Sequence, residues 1–275
     1  MTAAPQKKTP GTAVATAPAN PGQLAVDDPE LRAMFEADAG VGGQDLTKDD
    51  KVVPFLGLIQ GLSPQIDPNK PQFIDGARIG NIFNTVTSEV YEVVDVIPVL
   101  FQKVYNAWVP RDLGGGFLGS YADKDLTIPI FVPPNQTQDS EQPVQIVETA
   151  NWYVLAKGTD GTWAPAVLSM TSTKLKASRK WGTLTTIAAN KYATGAGPAP
   201  IFACVYTISS VSETNEKGTF ANYKVEPAGF VTKDLYLLAR DFRKLIESGI
   251  VRADMTKAEG AVDAEVVEDD KDKPY

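Results

Sequence analysis

Between residues 52 and 226 the chain carries seven apolar, β-prone runs separated by Gly, Pro, Asn and Asp. They are 52–59 (VVPFLGLI), 79–86 (IGNIFNTV), 90–109 (VYEVVDVIPVLFQKVYNAWV), 144–157 (VQIVETANWYVLAK), 164–170 (APAVLSM), 201–211 (IFACVYTISSV) and 217–226 (KGTFANYKVE). Enrichment in Val, Ile, Tyr, Phe and Thr with turn formers between the runs specifies strands. Pro98 inside the third run cannot donate to a ladder, so an edge position or a bulge is expected there.

Two segments break this pattern with helical spacing. Residues 172–191 (STKLKASRKWGTLTTIAANK) offer Ser172 or Thr173 as a cap and Leu175, Leu184, Ile187 and Ala188 as an inward stripe. Residues 232–248 (TKDLYLLARDFRKLIES) place Leu235, Leu238, Phe242, Leu245 and Ile246 on one face, with Thr232 as N-cap and Gly249 as the stop. The order of elements predicts a mainly β fold with two helices, built as an OB-like Greek-key barrel. Its strands would be those near 79–86, 90–109 and 144–157 before the first helix, and 201–211 and 217–226 after it. Strands 52–59 and 164–170 would be extra, and 111–143 a long loop. A β-sandwich is the other arrangement this pattern allows.

The ends read differently. Residues 1–26 are Ala, Pro, Thr and Gly with almost no large apolar side chain, too little to offset the entropy of ordering. Within a disordered arm over 1–50, DPELRAMFEAD at 28–38 predicts a short helix, 29–38, capped by Asp28 with Pro29 in its first turn. Leu31, Met34 and Phe35 share one face of it, suited to dock on the body or on a partner. The body would then span 51–252, followed by a disordered acidic tail over 253–275.

Charge is segregated in the same way. The formal net charge is -8, yet residues 27–50 hold eight acids against Arg32 and Lys48, and residues 259–275 hold seven against Lys271 and Lys273. The middle is close to neutral. No carboxylate occurs between Asp160 and Glu213, an interval that contains Lys174, Lys176, Arg179, Lys180 and Lys191. Such a stretch predicts an electropositive face.

Absences narrow the chemistry. With no His and the single Cys204, Ser-His-Asp and Cys-His catalysis, His ligation of metals and an internal disulfide are excluded. There is no phosphate-cradling Gly-Lys-Ser/Thr loop and no nucleophile elbow. Asp123 and Asp125 flank Lys124 in a Pro-rich stretch and read as solvated charge rather than a magnesium site. No enzyme activity, cofactor or metal is expected. No apolar run approaches a membrane span, and no signal peptide is apparent, so a cytoplasmic location is the expectation.

Cations and rings interleave instead. Lys103 and Tyr105 lie two residues apart on one strand, followed by Trp108 and Arg111. Trp152, Tyr153 and Lys157 lie on another strand, with Trp163 at the hairpin beyond it. Trp181 follows Lys180, and Tyr192 follows Lys191. On 219–225, Tyr223 and Val225 would face the core, and Phe220, Asn222 and Lys224 would face out. Single-stranded DNA is held by such sets, cations meeting phosphates and exposed rings stacking on bases. The expected DNA contacts are Lys103, Arg111, Lys174, Lys176, Arg179 and Lys180 for phosphates, with Tyr105, Trp108, Trp152 and Trp181 as stacking rings. The tail GAVDAEVVEDDKDKPY could occupy the cationic groove until a stronger polyanion displaces it, and then be free for other proteins.

The segments VVPFLGLIQGLSPQ, GARIGNIFNTVT, YNAWVPRDLGGGFLG and LSMTSTKLKASRKWGTL, with the acidic tail, give the chain its resemblance to phage-encoded single-stranded DNA-binding proteins. The resemblance implies an OB fold, sequence-tolerant strand binding and an acidic tail, here Glu268, Asp269, Asp270, Asp272 and Tyr275, contacting phage or host replication and recombination proteins. It also implies a location in the cytoplasm of the infected bacterial host. A homo-oligomer is compatible with it. The chain departs in ending on Pro274-Tyr275, in the diluting Lys271 and Lys273, and in its acidic N-terminal arm. Two other functions fit the same residues: a virion or scaffold-type structural protein, and a single-strand annealing recombination protein.

Overall fold

The computed structural model describes residues 29–43, 45, 53–110, 115–122, 144–216, 218–251 and 253. Contacts divide the chain into Met1–Asp50 and Lys51–Tyr275. In the first unit the described element is helix α1 (Pro29–Ala37), with Met34 and Phe35 exposed, close to the expected 29–38. Residues 1–28, 44 and 46–50 of the expected disordered arm, and all of the expected tail but Ala253, lie outside the described residues.

The second unit is mainly β. Its described residues form nine strands: β1 (Leu56–Leu58), β2 (Ile82–Asn84), β3 (Val90–Tyr91), β4 (Val94–Trp108), β5 (Phe117–Tyr121), β6 (Gln145–Lys157), β7 (Trp163–Thr171), β8 (Cys204–Asn215) and β9 (Gly218–Phe230). Helix α2 (Leu175–Lys191) follows β7, and α3 (Lys233–Glu247) follows β9. With α1 the described residues hold three α-helices. All strand ladders are antiparallel, in a small sheet β1-β2-β3 and a large sheet β7-β6-β4-β8-β9 with β5 added to β4.

This corrects the expected strand list in three ways. The run at 164–170 is a full member of the large sheet, paired with β6 along its length. The run at 79–86 belongs to the small sheet. Inside the expected loop 111–143, β5 pairs Tyr121 with Tyr105 and Phe117 with Trp108. Its sequence, FLGSY, is short and follows a Gly run, which hides it from pattern reading.

β6 lies between β4 and β7, and every residue from Thr149 to Ala156 is buried. A strand covered on both faces has no polar side, which explains why this run does not alternate. One face carries Ala150, Trp152, Val154 and Ala156 and packs with β8, β9, α2 and the small sheet. The other carries Tyr153 and Leu155 and packs with Phe55, Phe202 and, on α3, Ala239 and Phe242.

The register of β4 against β6 shifts between Pro98 and Leu100, the bulge expected from Pro98. The extra residue resets which side chains face α2. Beyond it, Phe101, Lys103 and Tyr105 oppose Trp152, Ala150 and Glu148, so all six share the α2 face.

β7 and β9, the ends of the large sheet's order, are not joined by a ladder. β1 and its flanks span the distance between them. Val167 N donates to Pro54 O at 2.9 Å on the β7 side. On the β9 side Tyr223 Oη donates to Leu56 O at 3.0 Å. Gln60 mimics a strand there: its Nε2 donates to Ala221 O at 2.9 Å and its Oε1 accepts from Ala221 N at 3.0 Å. Among the described residues, therefore, no closed barrel forms. Nor is any described helix long and apolar enough to cross a membrane.

Candidate nucleic-acid interface

Helix α2 is preceded by a 3-10 turn, Ser172–Lys174, in which Ser172 takes φ 47°. Neither Ser172 nor Thr173 caps the helix by its side chain. Lys174 holds the N-cap position instead. This turn folds Lys174 inward until it is 5% exposed, beside Gln60, Thr171 and Phe220. Lys174 is consequently not available to a phosphate, contrary to expectation.

From there the helix separates its residues by period. Ala177, Ser178, Trp181 and Thr185 are buried, and Leu175, Leu184 and Ala188 pack against the same core. Ile187, expected among them, is 59% exposed because it falls one step beyond that arc. Lys176, Arg179, Lys180 and Lys191 point outward with Thr183, Thr186 and Asn190. No acid lies in the first turn. The outer face of α2 is thus cationic. A carboxylate approaches it near its start, where Glu213 Oε1 lies 3.7 Å from Lys176 Nζ.

The rings expected on either side of this helix behave differently. Trp152 and Trp181 are 2% and 0% exposed, stacked on each other inside the core, so neither presents a face to a base. Trp152 Nε1 donates to Ser178 Oγ at 2.8 Å, which fixes α2 to β6. The expectation rests on large flat rings adjoining cations in sequence, but burial of that much apolar surface outweighs it.

On β4 the expected partners do meet. Lys103 Nζ lies 5.9 Å from the centroid of the Tyr105 ring. The same ammonium donates to Glu148 Oε1 at 2.9 Å, and this bond raises the Lys103 pKa, keeping it charged. Trp108 is three residues further and faces the α3 side, half-buried, with its ring 5.2 Å from Phe117. Tyr105 and Trp108 therefore do not form one track. Arg111, Asp123 and Asp125 lie outside the described residues, as do Glu268, Asp269, Asp270, Asp272 and Tyr275 of the tail.

Two further rings stand at the surface. Tyr192 meets Lys191 Nζ at 5.4 Å and Phe230 edge-on at 4.4 Å. Phe101 is 43% exposed on the row with Lys103 and Tyr105, although its place in an apolar run marks it as core in the sequence. On β9, Tyr223 and Val225 are buried and Lys224 is exposed as expected. Asn222 is not exposed: its Nδ2 donates to Thr173 O at 3.3 Å and to Glu213 Oε2 at 3.1 Å.

Among the described residues no group of three or more Cys, Asp or Glu side chains is placed to hold a metal ion. An open cleft of about 470 Å³ lies on the α3 side, lined by Leu100, Gln102, Tyr153, Ile246 and Ala253 among others. The carboxylate on its wall is Glu247, which pairs with Arg243 at 2.8 Å and offers no acid-base couple.

Residues 22–252 match the model of one protein family, described as Pam3 phage gp34-like protein. No curated protein and no solved structure matches the chain. The match covers most of the sequence: the chain belongs to the Pam3 phage gp34-like family and is a phage protein.

Proposed function

We propose that this member of the Pam3 phage gp34-like family binds single-stranded DNA without sequence preference. Its role would be strand protection during phage DNA replication or recombination in the cytoplasm of the infected bacterium. The observation that carries the reading is the outer face of α2. The acid-free interval of the sequence becomes an exposed helix surface bearing Lys176, Arg179, Lys180 and Lys191. That helix packs on the face of the large sheet which carries Lys103 and Tyr105. Cations along one side with an accessible ring among them are the elements of a groove that follows a phosphate backbone.

The strand order supports an OB-like reading of the large sheet. Strands β4, β6 and β7 form a meander, α2 follows, and the hairpin β8–β9 returns so that β8 lies on the other side of β4 from β6. A helix between the third and fourth of five strands is the arrangement of that partly open barrel. In this reading β1 and Gln60 stand in for the closing ladder. The acidic tail would compete for the cationic face and contact replication or recombination proteins.

The direct test is fluorescence anisotropy of a labelled oligo(dT), in parallel with a duplex of equal length, over a salt series. Binding of the single strand that weakens with salt is expected, since each neutralised phosphate releases counterions. No binding at low salt would end the proposal. Faster pairing of complementary strands in the same assay would identify an annealing protein.

A virion or scaffold-type role has its own support in exposed apolar side chains. Leu238 and Leu245 on α3 are each 44% exposed, and Ile250, whose N donates to Leu245 O, is 52% exposed. Such a protein would copurify with phage particles and ignore oligonucleotides.

A further inference from the structure

An aromatic column crosses the core and surfaces at one point. Tyr206 meets Trp181 edge-on at 5.9 Å, Trp181 stacks on Trp152 at 4.2 Å, and Phe101 leans on Trp152 at 4.7 Å, 52° from parallel. Three of these rings are almost fully buried, whereas Phe101 is 43% exposed. A phenyl ring of a core column has no reason of its own to remain so open to water, because further burial would be favourable.

Its neighbours suggest what it serves. The bulge beside Pro98 puts Phe101, Lys103 and Tyr105 on one face of β4 at two-residue intervals. The strand edge above them is open as well. β8 pairs with β4 no further along than Val96, and β5 begins pairing at Tyr105, so among the described residues no strand is paired to that edge between them. Phe101, Gln102 and Lys103 are exposed along this stretch.

We infer that Phe101, Lys103 and Tyr105 form a ring–cation–ring row that receives an extended single-stranded nucleic acid running along β4. The inference rests on the strand-binding reading above and assigns it a path. At about 3.4 Å per residue, Phe101 and Tyr105 stand about 14 Å apart. A strand stretched to about twice its duplex rise of 3.4 Å covers that distance in two steps. One base then lies on Phe101, another on Tyr105, and a phosphate between them faces Lys103. A stacked helical strand would cover the distance in about four steps of 3.4 Å, but its bases would cover one another and leave no face for either ring. The row accepts any base, because every base has a π-face.

Glu148 is the group that opposes this contact. Its carboxylate lies on the same face, 2.9 Å from Lys103 Nζ, where it neutralises the ammonium while the pair holds and places a negative charge beside any phosphate. Lys103 Nζ also lies 5.9 Å from the Tyr105 ring centroid, within cation–π range of it. This placement makes Glu148 a gate on affinity.

The test uses the full-length protein and a fluorescein-labelled oligo(dT). Phe101→Leu keeps an apolar cover over Trp152 and removes the ring. It should weaken binding about tenfold, as loss of one stacked base does. Phe101→Tyr should retain affinity. Ultraviolet crosslinking of wild-type protein to 5-bromodeoxyuridine-substituted oligonucleotide should give adducts in the β4 peptide, at Phe101 or Tyr105. Equal affinity of wild type and Phe101→Leu, or adducts confined to α2, would overturn the row while leaving strand binding in place. A wild-type protein that binds no oligonucleotide overturns both.

Discussion

Trp181 lies face to face on Trp152, their ring centroids 4.2 Å apart and their planes within 20°. The two indoles differ in one respect. Trp152 Nε1 donates to Ser178 Oγ, whereas Trp181 Nε1 is buried with no hydrogen-bond partner among the described residues. Replacing each by Phe removes similar volume, but Trp152→Phe also leaves the Ser178 hydroxyl without its donor, a cost of about 1–3 kcal/mol. Trp152→Phe should therefore destabilise more than Trp181→Phe in urea unfolding. The reverse order would mean that the indole N–H of Trp181 has a partner, such as a buried water.

Gln60 supports the junction of the small sheet with β9. Gln60→Ala deletes both hydrogen bonds to Ala221, whose own side chain is buried. A loss of about 1–3 kcal/mol is expected from the exposed backbone pair. Amide exchange at Ala221 should rise selectively, ahead of the β6 amides. Uniform acceleration over the whole sheet would show that the clamp is not a local device.

Glu89 fixes the β6–β7 turn to β3. Its carboxylate accepts from Thr159 Oγ1 at 2.7 Å, from Tyr91 Oη at 2.9 Å, from Thr87 Oγ1 at 3.0 Å and from Thr159 N at 3.3 Å. The Thr159 hydroxyl bond, followed by those of Tyr91 and Thr87, outweighs desolvation and lowers the Glu89 pKa. A depressed folded-state pKa means the stabilisation is present above the ordinary Glu range and lost as pH falls through the folded value. Wild-type Tm should drop on acidification below the ordinary Glu range more steeply than that of Glu89→Gln. Parallel pH profiles for the two proteins would remove Glu89 from the account.

Elements with a strong period are legible in the amino-acid sequence. The stripe of α3 and its Thr232 cap follow from spacing alone, and Thr232 Oγ1 does accept from Leu235 N. The inner stripe is nonetheless Leu235, Ala239, Phe242 and Ile246. Leu238 and Leu245 stand outside it, since a five-residue apolar arc is wider than the contact α3 makes. β6 is visible as a run, but its two-sided burial is not, so Trp152 reads as an available ring. Side-chain direction on β4 depends on the bulge, and a one-residue reset moves every side chain to the other face. That is why spacing alone hides Phe101; Trp108, three residues beyond Tyr105, falls on the opposite face whatever the bulge does. The buried Lys174 depends on the left-handed Ser172, which no spacing rule foresees.

Charge reversal separates the two parts of the proposed interface. Arg179→Glu with Lys180→Glu should weaken oligo(dT) binding and lower the salt slope by about 0.7 for each lost phosphate contact. Glu148→Gln should act oppositely and tighten binding, because Lys103 then faces the strand without a carboxylate beside it. Both are surface changes with little expected effect on Tm. If Glu148→Gln leaves affinity unchanged while the α2 pair abolishes it, the strand runs over the helix alone.

Ala253 N donates to Tyr153 Oη at 3.0 Å, on the α3 face of the large sheet, opposite the face that carries Lys103 and Tyr105. Fourteen residues lie between Ala253 and Glu268. A chain of that length spans at most about 50 Å, several times the 10 Å between packed layers. It can therefore reach round the sheet edge to the cationic face. Removing 259–275 should then tighten oligo(dT) binding at low salt, with the gain vanishing at high salt, where the exposed charges are screened. Replacing Glu268, Asp269, Asp270 and Asp272 by Asn and Gln should reproduce the gain without shortening the chain. Affinity that is indifferent to both changes would mean that the tail does not visit the binding face, and contacts with other proteins would be its remaining proposed role.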